Sequence, residues 1–292
     1  MTLEVTILGC GSSGGVPRIG GPEGKGNWGA CDPTNPKNRR RRCSIVVRRK
    51  SATGTTTLLV DTSPDMKDQL IDARVSTVDA VLLTHDHADQ LHGIDDLRQL
   101  AMNARRRVDV HTDVQSQVGL LARFAYCFVQ PEGSDYPPIL NLHTIPEPFA
   151  PFTLSGQGGD IPVRAFGQRH GRIRSLGFRF DNIAYSPDVD GLDDAAFEAL
   201  QGADLWIVDA LRYTPHPSHS HLAQTLAWIA RAQVKRAVLT NMHIDLDYEK
   251  LRAELPPHIE PAYDGMVLTA QPPAPPVIPA QAGTQWRASA RP

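Results

Sequence analysis

Four side chains able to hold a metal ion fall within a span of eight residues: His85, His87, Asp89 and His92, in Leu82-Leu-Thr-His-Asp-His-Ala-Asp-Gln-Leu-His-Gly93. Imidazole and carboxylate together suit zinc, manganese or iron. An apolar stretch, residues 80–83, reads as a short buried strand ending at Thr84. A loop leaving a strand end can aim several such groups into one cavity. Histidines this dense, directly after a buried strand, are not the composition of an ordinary solvated loop.

Three more donors share that local context. His170 lies in Phe166-Gly-Gln-Arg-His-Gly171, Asp188 in Ala184-Tyr-Ser-Pro-Asp188, and His243 in Leu239-Thr-Asn-Met-His243. Each sits where a strand gives way to a loop. With the first cluster they supply the ligands that a two-metal cavity requires. Arginine supplies a second kind of chemistry. Its planar guanidinium forks onto phosphate oxygens. The run Arg39–Arg42 is either a phosphate-binding segment or a solvated charged face, and Arg41 and Arg212 are candidate substrate-binding residues.

The elements that must position these groups are read from periodicity and punctuation. Strands are expected at residues 3–8, 44–49, 57–61, 80–83, 108–111, 205–209, 236–240 and 266–269, with strands and hairpins over 161–185 and a few short strands in the Pro- and Gly-rich stretch 130–160. Helices are expected from Pro64, capped by Ser63, and over 94–105, 114–128, 194–200, 222–232 and 248–254. Residues 16–42, rich in Gly, Pro and Asn, read as a long loop. Strand-rich halves with helices between them suit an α/β (α+β) four-layer αββα sandwich, two packed mixed β-sheets flanked by helices. Residues 1–270 form one domain in this reading. Residues 271–292, mostly Pro, Ala and Gln, read as a disordered tail.

A chain of 292 residues can bury one large core, and 41% apolar with 21% charged residues is ordinary for a folded domain. The formal net charge of −2 gives no overall pull toward nucleic acid or anionic membrane. The start, Met-Thr-Leu-Glu-Val, lacks the pattern of a secretory signal, and no apolar run has spanning length. Cys10, Cys31, Cys43 and Cys127 are scattered without zinc-ribbon spacing and read as buried thiols in a reducing cytoplasm.

The motif His85-Asp-His87-Ala-Asp89 resembles the H-x-H-x-D signature of the metallo-β-lactamase superfamily, and His170, Asp188 and His243 match its later ligand positions in order. Gly9-Cys-Gly-Ser-Ser-Gly-Gly-Val-Pro17, Asn35-Pro-Lys-Asn-Arg-Arg-Arg-Arg-Cys-Ser44, His92-Gly-Ile-Asp-Asp-Leu-Arg98, Asp209-Ala-Leu-Arg212, His216-Pro-Ser-His219 and Met242-His-Ile-Asp-Leu-Asp-Tyr248 resemble the PhnP-like branch, which contains a cyclic-phosphate phosphodiesterase. The resemblance covers roughly residues 3–270 and implies one or two divalent metal ions, zinc or manganese. His85, His87 and His170 would hold one ion, Asp89 and His243 the other, with Asp188 between them. It also implies catalytic roles for Asp89 and for His219, which as an imidazole suits proton donation to a leaving group near neutral pH.

Two departures stand out. The family has His directly after the motif aspartate, where this chain has Gln90, a poor zinc ligand. Residues 20–32 offer only Cys31, so no structural zinc is expected. The expected reaction is metal-dependent hydrolysis of a small phosphodiester. A membrane partner is not expected, nucleic acid is disfavoured, and a homodimer is allowed. The rivals are a tRNA 3′-processing ribonuclease, a thioester or lactone hydrolase, and a non-catalytic metal- or nucleotide-binding module.

Overall fold

The computed structural model describes residues 2–270; the expected tail at 271–292 lies outside them. In chain order the strands are β1 (Thr2–Gly9), β2 (Ser44–Ser51), β3 (Gly54–Val60), β4 (Ala80–Leu82), β5 (Val108–Thr112), β6 (Leu140–Thr144), β7 (Phe152–Leu154), β8 (Ile161–His170), β9 (Ile173–Phe180), β10 (Ile183–Ser186), β11 (Leu205–Asp209), β12 (Arg236–Thr240), β13 (Ile259–Pro261) and β14 (Val267–Ala270). The helices are α1 (Met66–Asp72), α2 (Ala88–Leu91), α3 (Leu97–Ala104), α4 (Val114–Phe124), α5 (Asp194–Leu200), α6 (Leu222–Ala232) and α7 (Tyr248–Glu254).

These strands build two seven-stranded sheets, β14-β1-β2-β3-β4-β5-β6 and β13-β12-β11-β10-β9-β8-β7. Both are mixed: β3 to β6 run parallel in the first, β10 to β13 in the second. This is the expected four-layer αββα sandwich.

Alternation along β4 shows how one apolar run serves two layers. Leu82 joins the core between the sheets, while Val81 and Leu83 join the core under α1, α3 and α4. Strands buried on both faces read as continuous hydrophobic runs for this reason. Burying one such side chain is worth roughly 1.5–3 kcal/mol. On the far side, Ala196, Leu200, Leu222, Ile229 and Leu251 bring α5, α6 and α7 onto the second sheet.

Several helices begin at a side-chain cap. Asp113, Asp193 and Asp247 accept the backbone N–H of Ser116, Ala196 and Lys250, satisfying a donor that the helix start leaves open.

Three helices differ from expectation, and several strands are shifted or lengthened by one to three residues at an end. The helix expected at Pro64 begins at Met66 instead, because Ser63 is held in a turn: its hydroxyl donates to Gln69 Oε1 and its carbonyl accepts the Met66 N–H. The helix expected over 94–105 is a 3-10 turn, Ile94–Asp96, followed by α3. The one expected over 114–128 ends at Phe124, whose backbone leaves the helical region at φ −132 and ψ 27. Helices α5, α6 and α7 and strands β11 and β12 have the expected limits. All four cysteines are buried and unpaired. No helix among the described residues is long and apolar enough to cross a membrane.

Candidate metal centre

The carboxyl ends of β10, β11 and β12 lie side by side; Asp209 is the last residue of β11, and the loops leaving β10 and β12 carry Asp188 and His243. The end of β4 is joined to the second sheet by the bond from Leu176 N–H to the Thr84 carbonyl, 2.9 Å. That bond brings the histidine loop against the β8–β9 hairpin, where His170 is the last residue of β8. Parallel strands ending on one side make this the natural place for a site.

His85, His87 and His170 come together with one ring nitrogen each, all within 4.8 Å of one another. His87 Nδ1 lies 3.2 Å from His170 Nε2. His85 and His170 are buried and His87 is exposed, so the cluster opens to solvent on the His87 side.

Neighbouring groups choose the tautomers. His170 Nδ1 donates to the Ser218 carbonyl at 2.6 Å, which leaves Nε2 as a lone pair. Thr84 Oγ1 donates to the buried Asp61 carboxylate at 3.0 Å and accepts from His85 Nδ1 at 3.0 Å, which leaves His85 Nε2 as a lone pair too. Backing partners of this kind orient metal-binding imidazoles. Gly171 makes the Ser218 contact feasible. It has φ +61, and a Cβ there would lie 2.9 Å from Ser218 Cβ. Burial, followed by the neighbouring histidines, pushes the His85 pKa well below the ordinary 6.5. Burial, followed by His219, lowers His170 to about 4. Both are therefore neutral at pH 7, the state that binds metal.

A second group, His170, Asp188 and His219, adjoins the first. Gln90 Nε2 donates to Asp188 Oδ2 at 2.9 Å, and Asn241 Nδ2 donates to Asp188 Oδ1 at 3.3 Å. His219 Nδ1 is 2.9 Å from Asp209 Oδ2 and 3.8 Å from Asp188 Oδ1. Burial pulls the His219 pKa down, but the charge and hydrogen bond of Asp209, aided by Asp188 and Asp89, raise it to about 9. Burial raises Asp209 to about 6 against the opposing pull of His219. Between these two values the pair is an imidazolium and a carboxylate.

The remaining expected residues sit around this centre. Asp89, half-buried in the first turn of α2, adds its negative charge to Asp188, Asp61 and His219 but belongs to neither three-residue group. His243 also belongs to neither; its Nδ1 lies 2.9 Å from Asp245 Oδ2. His92 is exposed and packs edge-on against Phe124 of α4, 5.5 Å between centroids.

The arginine run is engaged within the fold. Arg40 is buried and donates to the carbonyls of His243 and Leu246, Arg41 is held by Asp264 and Asp72, and Arg42 pairs with Asp65. Arg212 donates to the carbonyls of Thr214 and Pro215. Asp61, Thr84, Ser218, Asp209 and Asn241 were not singled out by residue spacing. Only Asp209, an acid at the end of an apolar strand, carried a signal that could have found it.

The donor set fits a divalent transition-metal ion. His85 Nε2 is buried without a hydrogen-bond partner among the described residues, and its ring lies in the same cluster as that of His170, one nitrogen of each within 4.8 Å of the other. Burial, then Asp89, Asp209 and Asp61, pushes the Asp188 pKa well above the usual carboxylate range, opposed by His219. A cation relieves that repulsion. A family model described as the Beta-lactamase superfamily domain matches residues 56–244.

The chain belongs to the metallo-β-lactamase superfamily. The strand ends assemble a histidine-rich candidate metal site. A diphosphatase of the PhnP family, of known structure, is 30% identical, with 92% of this chain and 98% of that one covered and a TM-score of 0.80. It bears out the PhnP-like resemblance read from the motifs. Zinc-bound PqqB from Methylobacterium extorquens shares the metallo-β-lactamase fold at 18% identity, covering 91% of this chain and 99% of that one, with a TM-score of 0.68. A curated octanoyltransferase from Porphyromonas gingivalis is 31% identical over 269 residues, 90% of this chain and 51% of that protein. The chain thus spans about half the length of that relative.

Proposed function

We propose that this metallo-β-lactamase-fold hydrolase cleaves a small phosphodiester, with His219 as the proton donor to the leaving alkoxide. The observation that carries the reading is the His219–Asp209 pair, 2.9 Å apart, beside Asp188 and the three-histidine cluster. His85, His87 and His170 would hold one metal ion, with Asp188 facing it. When bound, such an ion acts as a Lewis acid on phosphoryl oxygen and lowers the pKa of a coordinated water.

The chain's own residues do the rest. Ser218 and Thr84 keep the two buried imidazoles in the binding tautomer. Gln90 and Asn241 hold the Asp188 carboxylate in place. Asp209 fixes the His219 ring through Nδ1 and keeps it protonated at neutral pH, leaving Nε2–H to be given to the departing oxygen. A thiolate or carboxylate nucleophile from the protein is not needed in this scheme.

Cleavage of a diphosphate linkage is a second reading, favoured by the 30% identical diphosphatase. A phosphate leaving group is far less basic than an alkoxide and depends less on a proton donor. The test is a screen of cyclic phosphodiesters, linear phosphodiesters and diphosphate esters under manganese, zinc and nickel, with His87→Ala as the control. Turnover of a diester, abolished in His87→Ala, supports the first reading. Turnover confined to diphosphates supports the second, and no turnover of either class overturns both.

A further inference from the structure

Helix α4 contributes no ligand to the metal centre, yet its side chains bond to both of the chain segments that supply the three histidines. The first contact is with the histidine loop. Arg123, in the last turn of α4, donates through Nη2 to the Asp86 carboxylate at 2.7 Å and to the Asp86 carbonyl at 2.5 Å. Asp86 is the residue between His85 and His87. The guanidinium is itself held, because Nε donates to the Gly119 carbonyl one turn back at 2.9 Å. Its Nη1 donates to His92 Nε2 at 3.3 Å, and the His92 ring rests edge-on against Phe124. Asp86 and His92 flank α2, so the loop and the short helix after it are both fixed to α4.

Gly119 lets the helix come this close. A Cβ there would lie 1.8 Å from Asp86 Oδ2 and 2.9 Å from Arg123 Nη2. Glycine weakens a helix interior relative to alanine. Helix formation therefore gives no reason for this glycine, whereas the approach of Asp86 does.

The second contact is with the β8–β9 hairpin. Asp113 caps α4 through Oδ1, and its Oδ2 accepts from Arg174 Nη2 at 2.6 Å and from Nε at 3.1 Å. Arg174 stands opposite Arg169 in the β8–β9 ladder, one residue pair from His170. Asp113 is buried, and Glu147 holds Arg174 from the other side at 2.6 Å. The histidine loop follows β4 of the first sheet and His170 ends β8 of the second, so the two segments belong to different sheets. Alongside the backbone bond from Leu176 to Thr84, α4 ties them together through two arginine–aspartate pairs.

We propose that α4 is a brace that sets the separation of His85 and His87 from His170, with Arg123 as the positioning residue on the loop side and Arg174 on the hairpin side. Arg123 acts through Asp86, and Arg174 through Asp113. A partly exposed ion pair adds little to stability by itself. Its effect here is on geometry, because imidazoles bind a metal ion tightly when surrounding groups already hold them in place. This rests on the metal-binding part of the reading above and does not depend on which phosphoryl substrate is cleaved.

The test is zinc affinity of the purified full chain, by competition with a coloured chelator, beside the thermal midpoint of the metal-free chain and the visible spectrum of the cobalt-loaded one. Arg123→Ala should weaken zinc binding about ten-fold and shift the cobalt bands, with the metal-free midpoint within about 2 °C of wild type. Arg123→Lys, which keeps the charge and loses the fork, should recover part of the affinity. Gly119→Ala is the sharper variant, and it carries the test if Arg123→Ala fails to fold. As an ordinary helix substitution it would leave zinc affinity unchanged. As a wedge against Asp86 it should weaken zinc about ten-fold. Wild-type affinity in Arg123→Ala or in Gly119→Ala overturns the brace. A loss in Arg123→Ala that comes with a much lower metal-free midpoint, and that Arg123→Lys does not partly restore, also overturns it, since a merely structural pair behaves that way. A wild-type chain that takes up no zinc removes the metal centre and the brace together. Turnover is not read, so a failed diesterase screen and a failed brace are told apart.

Discussion

Gln90 Nε2 donates to Asp188 Oδ2 over 2.9 Å, so the residue that follows the histidine–aspartate motif is tied to the carboxylate at the centre of the site. In the superfamily pattern this position is a histidine, a metal ligand. Here the amide offers a donor toward Asp188, while its Oε1 is buried without a hydrogen-bond partner among the described residues. The expected consequence is a single strong ion site, formed by His85, His87 and His170. The chain should retain one zinc ion after dialysis, and Gln90→His should raise that toward two, read by elemental analysis. Two tightly held ions in the wild-type chain would contradict this account of Gln90.

The His219–Asp209 pair sets the second expectation. His219→Ala should lower turnover of a diester with an alkyl leaving group by about 10²–10⁴. With p-nitrophenolate as the leaving group the loss should be much smaller, since that anion needs little help to depart. Asp209→Asn should act in the same direction as His219→Ala, because the imidazole loses the charge that keeps it protonated. Steady-state rates on the two substrates decide the matter. Equal losses on both would assign His219 to binding instead.

Thr84 is expected to matter through His85. Its hydroxyl relays between the Asp61 carboxylate and His85 Nδ1, each at 3.0 Å. Thr84→Val keeps the shape and removes the relay. Metal affinity should fall about 10–100-fold, the usual cost of losing such a backing partner, as measured by competition with a coloured chelator. Unaltered affinity would show that burial alone orients the ring.

Away from the site, His111 gives a pH signature. It stacks on His143 across β5 and β6, 4.6 Å between centroids, and burial followed by His143 lowers its pKa to about 4. The unfolded chain takes up this proton near 6.5. Between those values the unfolded state binds more protons, so folding stability rises with pH there and is lost as pH falls from about 6.5 to 4. His111→Phe, which keeps a ring against His143 and Phe152, should flatten that part of the curve in urea unfolding. A parallel curve for the variant would place the dependence elsewhere.

The elements were legible where pattern and punctuation agree. Strands β11 and β12 and helices α5, α6 and α7 lie between clear turn signals, and their limits are those expected. Boundaries moved where tertiary contacts compete with local preference, as at Ser63, whose hydroxyl is taken by Gln69. The short strand β13, Ile259–Pro261, was not read at all, because its three residues lack periodicity and owe their conformation to pairing with β12.

At the site, the ligand types and their order could be read because metal chemistry demands particular side chains, and the motif histidines are adjacent in the chain. Sequence alone thus determined the fold class, the three-histidine cluster and the place of Asp188. What it could not determine is which groups face one another across the cavity. That depends on sheet packing, which brings Gln90 within hydrogen-bond reach of an acid 98 residues away and sets His219 against Asp209. The same packing closed Arg40, Arg41 and Arg42 into internal bonds. Charge and hydrogen-bonding capacity are properties of a residue; whether they are spent inside the fold or kept for a ligand is a property of distance, and only the tertiary structure sets distance.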